Sequence, residues 1–300
     1  MDAEYDTIPK VVIYIRQYCI PIFLCLSLVG NSLSVCVLFC TKLRYHSSSI
    51  YLGALAMSDI GVLVTSFMLW LFFMEILLYE FWLTILFIGL RFLFCFLSVW
   101  IVVAFTVQRY IAIKWPLRRS LCTVNRAIIT LIVLAGLAVL YSIPWFILFS
   151  ILAYNLLPRE YNTMKLWIIS VSAIDTIITF VLPAIMIAIF NGLIMYNIRK
   201  HNRIQRNLIL SSAASNKKTQ SSDNEESHIE VTKMLVIISS LFICLNIPLQ
   251  IGNADIYNLY PIGIFLNLIS YGINFVLYSA TGKNFRKELI RIFTKRSDST

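Results

Sequence analysis

Charged side chains are scarce in this sequence. Asp, Glu, Lys and Arg make up 13% of its 300 residues, whereas they make up about a quarter of a typical soluble domain. Hydrophobic residues reach 59% and the mean hydropathy is +0.80. The scarcity of charge excludes an ordinary soluble domain, and the apolar excess predicts a membrane protein.

Residues that build metal centres and catalytic sites are also few. The chain has three histidines, and neither a CxxC nor an HExxH spacing occurs. The seven cysteines lie almost entirely inside apolar runs, which favours packed thiols over a disulfide framework or a metal site. Since no nucleophile–base pair stands out either, we expect that the chain is not an enzyme and has no resident metal centre.

Long apolar runs are what the sequence has instead. Seven of them are long enough to cross a bilayer, and they cover residues 18–40, 49–74, 82–110, 126–153, 165–196, 231–253 and 256–278. The pattern predicts an all-α fold, a seven-transmembrane helix bundle over residues 18–278.

Three polar segments lie outside or between these runs. Residues 1–17 precede the first run, and residues 197–230 form a long connection rich in Ser, Asn and Lys that we expect to be flexible. Residues 279–300 contain apolar side chains at helical spacing with basic residues on other faces. This pattern predicts a short C-terminal amphipathic helix on the membrane surface, followed by a tail.

The basic residues are distributed unevenly between the connections. With the amino terminus placed outside, 19 Lys and Arg fall on the inner side and four on the outer side. Inner connections carry the basic excess in membrane proteins. We therefore expect an extracellular amino terminus and a cytoplasmic carboxyl terminus, and the net charge of +10 needs no nucleic-acid partner to explain it.

The third run carries one arginine towards each end. Arg91 and Arg109 are 18 residues apart, which on a helix is about 27 Å, close to the apolar thickness of a bilayer. A charge inside a spanning helix is costly. Both arginines are therefore candidate functional residues, one near each membrane face.

Short motifs occur in order along the runs. They are Gly30-Asn31-Ser32, Leu55-Ala56-Met57-Ser58-Asp59, Gln108-Arg109-Tyr110, Pro116-Leu117, Pro183, Phe242-x-x-Leu245-Asn246-x-Pro248 and Asn274-Phe275-Val276-Leu277-Tyr278. Together they resemble the rhodopsin-like (class A) G-protein-coupled receptors over the whole chain. The second run is most similar to invertebrate neuropeptide receptors.

This resemblance implies a receptor in the plasma membrane. Its partners would be an extracellular peptide or small ligand, a heterotrimeric G protein, the lipid bilayer, and possible receptor kinases and arrestin acting on the Ser-rich inner segments. A divergent chemosensory receptor of the same fold is an alternative. A small-solute transporter is the alternative from another class, although no internal repeat supports it.

The resemblance also implies a sodium pocket. In the family, an acid of the second helix, a serine of the third and asparagines of the first and seventh surround a sodium ion. The matching residues are Asp59, Ser98, Asn31 and Asn274. All four offer the oxygen atoms that a hard cation prefers.

The outer half carries the ligand-binding candidates. Arg91 stands where amine receptors of the family carry an aspartate, and a cation there disfavours an amine ligand. In one interpretation, Arg91 forms an ion pair with Asp175 or Glu75 inside the protein. In the other, the partner belongs to the ligand: Arg91 binds a carboxylate of the ligand, or Asp175 binds a basic group of the ligand. By the same resemblance the lining also includes Gln250, Asn253, Asn267 and Tyr271.

The inner half carries the candidates for activation and G-protein coupling, which are Gln108, Arg109, Tyr110, Phe242, Asn246, Pro248 and Tyr278. Several positions depart from the family pattern. Gln108 replaces the acid beside the arginine, Asn246 the sixth-helix tryptophan, Phe275 the seventh-helix proline and Asn191 the fifth-helix tyrosine. Thr84 replaces the cysteine of the outer disulfide, which is therefore absent.

Overall fold

The structure, a computed structural model, describes residues 10–77, 81–115, 122–153, 161–211, 221–255 and 260–297. Within these ranges the chain forms eight α-helical segments and a 3-10 turn, Lys42–Tyr45. The first four are α1 (Lys10–Tyr14, a π-helical turn Ile15–Cys19, then Ile20–Cys40), α2 (Ser47–Phe73), α3 (Phe81–Lys114) and α4 (Val124–Ala153). The others are α5 (Tyr161–Thr176, a π-helical turn Ile177–Val181, then Leu182–Ser211), α6 (Ser221–Asp255), α7 (Tyr260–Gly272 and Asn274–Thr281) and α8 (Lys283–Ser297).

Most of these helices have the length and composition of membrane spans. Five helices among the described residues, those of α1 to α5, are long and apolar enough to cross a bilayer, and the two pieces of α7 count as a sixth if taken together. The apolar part of α6, Met234–Gln250, is shorter. The predicted all-helical membrane fold is confirmed.

The helices extend beyond the apolar runs. α5 continues to Ser211 and α6 begins at Ser221, so both enter the connection 197–230 that we expected to be flexible throughout. Residues 212–220 of that connection lie outside the described part. Helical hydrogen bonding continues past the end of an apolar run because polar side chains on the surface of a helix do not interrupt it.

The surface helix lies where the amphipathic pattern predicts it. In α8, Phe285 is 6% exposed and packs against Phe275 and Tyr278 of α7, with ring centroids 6.3 Å and 5.8 Å apart. Ile290 and Phe293 are exposed on the outer side of the same helix. One apolar face is therefore bound to the bundle, and further apolar side chains remain to enter the lipid.

Each π-helical turn lies just before a proline. The turns Ile15–Cys19 and Ile177–Val181 precede Pro21 and Pro183 by two residues. A proline ring clashes with the carbonyl four residues before it, which in both cases belongs to the widened turn. The wider turns thus let α1 and α5 continue through their prolines.

The bundle has a packed interior and an apolar exterior. Leu24, Val62 and Leu268 are at most 2% exposed at the contact of α1, α2 and α7, whereas Ile132 and Leu140 of α4 are about two-thirds exposed, at 65% and 64%. Exposed apolar side chains are what a lipid environment accommodates. α4 is held to α3 on its inner side, where Phe92 stacks on Trp145 with ring centroids 4.0 Å apart.

Two glycines of α7 allow close helix contacts. A Cβ atom on Gly263 would lie 2.9 Å from the Cα atom of Leu249, so the backbones of α6 and α7 are in direct contact there. A methyl group on Gly272 would overlap Ser27 and Phe23 of α1. The axis of α7 turns by 44° directly after Gly272, as helices do at glycine.

We expect Gly263→Ala to destabilise the bundle. The added methyl group meets backbone atoms of α6, which cannot rotate aside, and overpacking of this kind costs about 1–3 kcal/mol. The thermal midpoint of the purified protein in detergent measures the loss. Gly136→Ala is the matched control, because no atom lies within 4 Å of a Cβ atom built there. Equal midpoints for the two variants would show that the α6–α7 contact does not need a glycine.

Candidate functional site

A buried acid joins three helices in the middle of the bundle. Asp59 of α2 is fully buried, and both of its carboxylate oxygens accept hydrogen bonds. Ser98 Oγ of α3 donates to Asp59 Oδ1 at 2.6 Å, and Asn274 Nδ2 of α7 donates to Asp59 Oδ2 at 2.6 Å. Asp59 therefore faces the interior, bonded to two of the three side chains that the sequence placed with it.

Asn31 takes a different role from the other three. Its Nδ2 donates to the carbonyl oxygens of Ser27 at 3.2 Å and Tyr271 at 3.0 Å, so the amide binds α1 to the backbone of α7. Asn31 Oδ1 is buried without a hydrogen-bond partner among the described residues. The amide group is therefore not bonded to Asp59, although it carries one unused oxygen.

Arg91 lies against neutral partners. Its Nη1 donates to Ser66 Oγ of α2, and its Nη2 lies 3.5 Å from Asn267 Oδ1 of α7. Among the described residues no ion pair joins Arg91 to Asp175 or Glu75, so the internal ion pair, one of our two interpretations, is not formed.

Asp175 is bonded to α4, whereas the partners of Arg91 lie on α2 and α7. Its carboxylate accepts a hydrogen bond from the hydroxyl of Tyr141 in α4, and the Tyr141 ring stacks on Phe96 of α3 with centroids 4.7 Å apart. Glu75 lies exposed in the turn after α2, where its φ of 55° is in the left-handed region. The two acids that the sequence offered to Arg91 are thus placed elsewhere.

A chain of amides continues from Arg91 into α6. Asn267 Nδ2 donates to Asn246 Oδ1 at 2.5 Å, and Asn246 Nδ2 donates to its own helix at Phe242 O at 2.7 Å, with Ser270 Oγ at 3.4 Å. Asn246 and Asn267 are 4% and 6% exposed. The buried amide of Asn267 therefore contacts both Arg91 and Asn246 of the proline-containing helix α6.

The remaining outer candidates have mixed positions. Gln250 Oε1 accepts from Thr176 Oγ1 at 3.2 Å and so connects α6 with α5. Tyr271 is 4% exposed and packs in the apolar cluster with Leu24 and Val62. The side chain of Asn253 lies outside the described part.

Sequence reasoning missed Ser66 and Tyr141. Ser66 follows Asp59 by seven residues on α2, which is two helical turns on the same inward face, so its position could have been inferred from periodicity. Tyr141 carries no such signal, because its relation to Asp175 depends on how α4 and α5 pack.

The arginine towards the other end of α3 is buried. Arg109 is 4% exposed, and its guanidinium carbon lies 5.0 Å from the ring centroid of Phe105. Arg109 Nε and Gln108 Oε1 are buried without hydrogen-bond partners among the described residues, and no ion pair holds Arg109 there. The ring face of Phe105 is therefore one contact that favours the charge.

The other candidates for activation lie on several helices. Tyr278 of α7 is 1% exposed, and its hydroxyl is buried without a partner among the described residues. Tyr110 packs on Phe190 of α5 with ring centroids 5.4 Å apart. Phe242 of α6 lies in the main apolar core cluster, six residues before Pro248. Asn191 Nδ2 of α5 donates to Ser239 Oγ of α6 at 2.7 Å.

Comparison with known proteins finds a family and several relatives. The model of the family described as 7 transmembrane receptor (rhodopsin family) matches residues 30–260. The FMRFamide receptor of Drosophila melanogaster is 25% identical over 66% of this chain, and the match spans 37% of that receptor's length. The thyrotropin-releasing hormone receptor of Gallus gallus is 28% identical over 87% of this chain and 74% of its own length. The sex peptide receptor of Drosophila melanogaster is 25% identical over 93% of this chain and 72% of its own length.

We expect Asn246 and Asn267 to be energetically coupled. Replacing either by leucine leaves the other buried amide unsatisfied, whereas replacing both removes the pair. Polar pairs between membrane helices measure roughly 0.6 kcal/mol on average and up to about 1.7 kcal/mol in such cycles. A double-mutant cycle on the free energy of unfolding in detergent checks the coupling.

The control cycle combines Asn246→Leu with Asn197→Leu. Asn197 is half-buried and donates to Leu193 O of its own helix, at 2.8 Å, so this pair is expected to be additive. Additivity of the Asn246 and Asn267 variants as well would contradict the bond between α6 and α7.

Proposed function

The chain belongs to the rhodopsin family of seven-transmembrane receptors, and we propose that it binds a peptide outside the cell and transmits this binding to a heterotrimeric G protein. A ligand can drive such a receptor only through its different affinities for two arrangements of the bundle. The proposal therefore needs an outer site, an inner site and a connection between them.

The third helix supplies the observation that carries this proposal. α3 runs without interruption from Phe81 to Lys114, with Arg91 towards one end and the buried Arg109 towards the other. A rigid helix links the surroundings of both arginines over about 27 Å. Side chains of the neighbouring helices contact it at both levels, which suits a helix that couples two sites.

The outer site is assigned to the side chains around Arg91. Asp175, Gln250, Asn267 and Tyr271 belong to it, with Glu75 and Asn253 towards its rim. A lining of charges and amides is suited to a peptide, which offers both backbone and side-chain polar groups. The names of the three relatives support this choice, since FMRFamide, thyrotropin-releasing hormone and sex peptide are all peptides.

The inner site is assigned to Arg109 and the aromatic side chains near it. The Nε atom of Arg109 and the hydroxyl of Tyr278 are buried polar atoms without a bond among the described residues. Such atoms gain most from a partner that enters the bundle. Tyr110, Phe242 and Asn246 would then respond to movement of α6 about Pro248.

The proposed location is the plasma membrane. The proposed orientation places the amino terminus outside the cell and the carboxyl terminus in the cytoplasm. Its support is the excess of basic residues on the inner connections. Receptor kinases acting on the Ser-rich inner segments, and arrestin as a reader of the added charge, complete the set of proposed partners.

A sodium ion fits the surroundings of Asp59. The carboxylate of Asp59 and the hydroxyl of Ser98 are hard oxygen ligands, and the unused, buried Oδ1 of Asn31 is a third oxygen atom available to a cation. Asn274 would orient the carboxylate through its existing bond. When bound, the ion would supply a positive charge beside the buried acid.

We expect sodium to stabilise the purified receptor against heat, relative to choline at the same ionic strength. At ten times its dissociation constant an ion that binds only the folded state adds about 1.4 kcal/mol. Asp59→Asn should abolish the effect. Asp175→Asn is the control, since its carboxylate belongs to a different site, and loss of the sodium effect in this variant would contradict the assignment.

We expect membranes containing the chain to promote nucleotide exchange on added heterotrimeric G proteins when a suitable peptide is present. FMRFamide, thyrotropin-releasing hormone and a set of short peptides with either an amidated or a free carboxyl terminus are the first probes, read with a panel of chimeric G proteins. Arg109→Gln should reduce peptide-promoted exchange by about tenfold or more, because hydrogen bonds from a charged group contribute about 1.5–3 kcal/mol.

Arg44→Gln is the matched control for this variant. Arg44 is also a basic residue of the inner side, but it is exposed and bonded to Tyr45 at 2.8 Å. Uptake of a solute by vesicles that show no nucleotide exchange would favour a transporter instead.

A further inference from the structure

Arg91 has no counter-charge among the described residues. Its guanidinium is partly buried at the level of the outer membrane half and contacts a hydroxyl, that of Ser66, and an amide oxygen, that of Asn267. Charged groups inside membrane helices are normally paired, because the hydrocarbon region does not solvate them. The cation of this site is therefore only partly compensated by neutral dipoles.

The two acids of the outer half that the structure describes do not provide this charge. Asp175 is bonded to Tyr141, and Glu75 lies exposed in the turn after α2. The hydroxyl of Tyr141 on α4 engages the carboxylate of Asp175 on α5 instead.

The guanidinium of Arg91 also has unused hydrogen-bonding capacity. Arginine carries five N–H donors in a planar fork, and two are engaged here, the one towards Asn267 at a long 3.5 Å. The fork matches the two oxygens of a carboxylate in a bidentate arrangement, and such charge-assisted bonds are about twice as strong as neutral ones. A carboxylate is therefore the group that best completes the site.

We propose that Arg91 is the receptor for a carboxylate of the ligand, supplied either by a free peptide carboxyl terminus or by an acidic side chain. This inference rests on the proposed function, since it names the chemistry that the outer site selects. It excludes a ligand whose inserted end carries only a positive charge, because the guanidinium would repel it.

Binding at Arg91 would be communicated to α6 through Asn267. A carboxylate that engages Nη2 takes the place of Asn267 Oδ1, and the same amide donates to Asn246 at 2.5 Å. Asn246 lies two residues before Pro248, where α6 contains its proline. Occupation of the anion site is therefore sensed next to the point at which α6 can bend.

The experiment uses the purified full-length receptor in nanodiscs of neutral phosphatidylcholine and measures its thermal midpoint by tryptophan fluorescence. The probes are N-acetylglycine, which carries a carboxyl terminus, the α-amide of N-acetylaspartic acid, which carries a side-chain carboxyl, and N-acetylglycinamide, which is neutral. All are compared at equal concentration and equal ionic strength. We expect at least one acid to raise the midpoint by about 2 °C or more and the neutral amide to leave it unchanged.

Variants of Arg91 identify the origin of the shift. Arg91→Gln should abolish the rise, and Arg91→Lys, which keeps the charge but not the planar fork, should retain part of it. Arg44→Gln is the matched control, because Arg44 is exposed and bonded to Tyr45, and it should retain the whole rise. If Arg91→Gln does not fold, the comparison of acid with amide on the wild-type receptor and on Arg91→Lys remains decisive.

Several outcomes would overturn the proposal: no rise with either acid, an equal rise with the neutral amide, or a rise that persists in Arg91→Gln. The larger rise of the two acids identifies which source of carboxylate the site prefers. Because the measurement involves no G protein, a failure of G-protein coupling and a failure of the anion site give different results.

Discussion

The hydrocarbon interior of a membrane offers no hydrogen-bond partners, and this constraint accounts for the placement of the polar side chains in this receptor. Asp59 alone in lipid would be strongly unfavourable. In the bundle it is fully buried and accepts hydrogen bonds from Ser98 and Asn274. The need to satisfy one carboxylate thus joins α2, α3 and α7 at a single point, and the apolar clusters pack on either side of it.

At positions where the chain departs from the pattern of its family, the substituted side chains form hydrogen bonds of their own. Asn246 replaces an aromatic residue of the sixth helix and is bonded to Asn267 of α7. Asn191 replaces a tyrosine of the fifth helix and is bonded to Ser239 of α6. The bend of α7 lacks the family proline, and yet the axis turns by 44° next to Gly272. Side-chain amides therefore join the helices of this receptor at these positions, and a glycine lies at the bend of α7.

Much of this arrangement was accessible from the sequence. The apolar runs predicted the helices, and the order of motifs placed Asp59, Ser98 and Asn274 on helices that meet in the interior. The exact helix ends were not accessible, because helical hydrogen bonding continues past the apolar residues, as it does in α5 up to Ser211. Nor was the role of Asn31, whose amide reaches the backbone of Tyr271 instead of a side chain.

The sequence by itself determined the membrane class, the family and the presence of a charge near each end of α3, because these properties depend on composition, periodicity and motif order. Only the tertiary structure decided which groups those charges contact. Arg91 and Asp175 have opposite charges, but Tyr141 of α4 donates a hydrogen bond to Asp175, while α2 and α7 present Ser66 and Asn267 to Arg91. Attraction between charges falls off slowly with distance, whereas a hydrogen bond forms only within a narrow range of donor–acceptor distances. The contacts between the helices determine which groups come within that range.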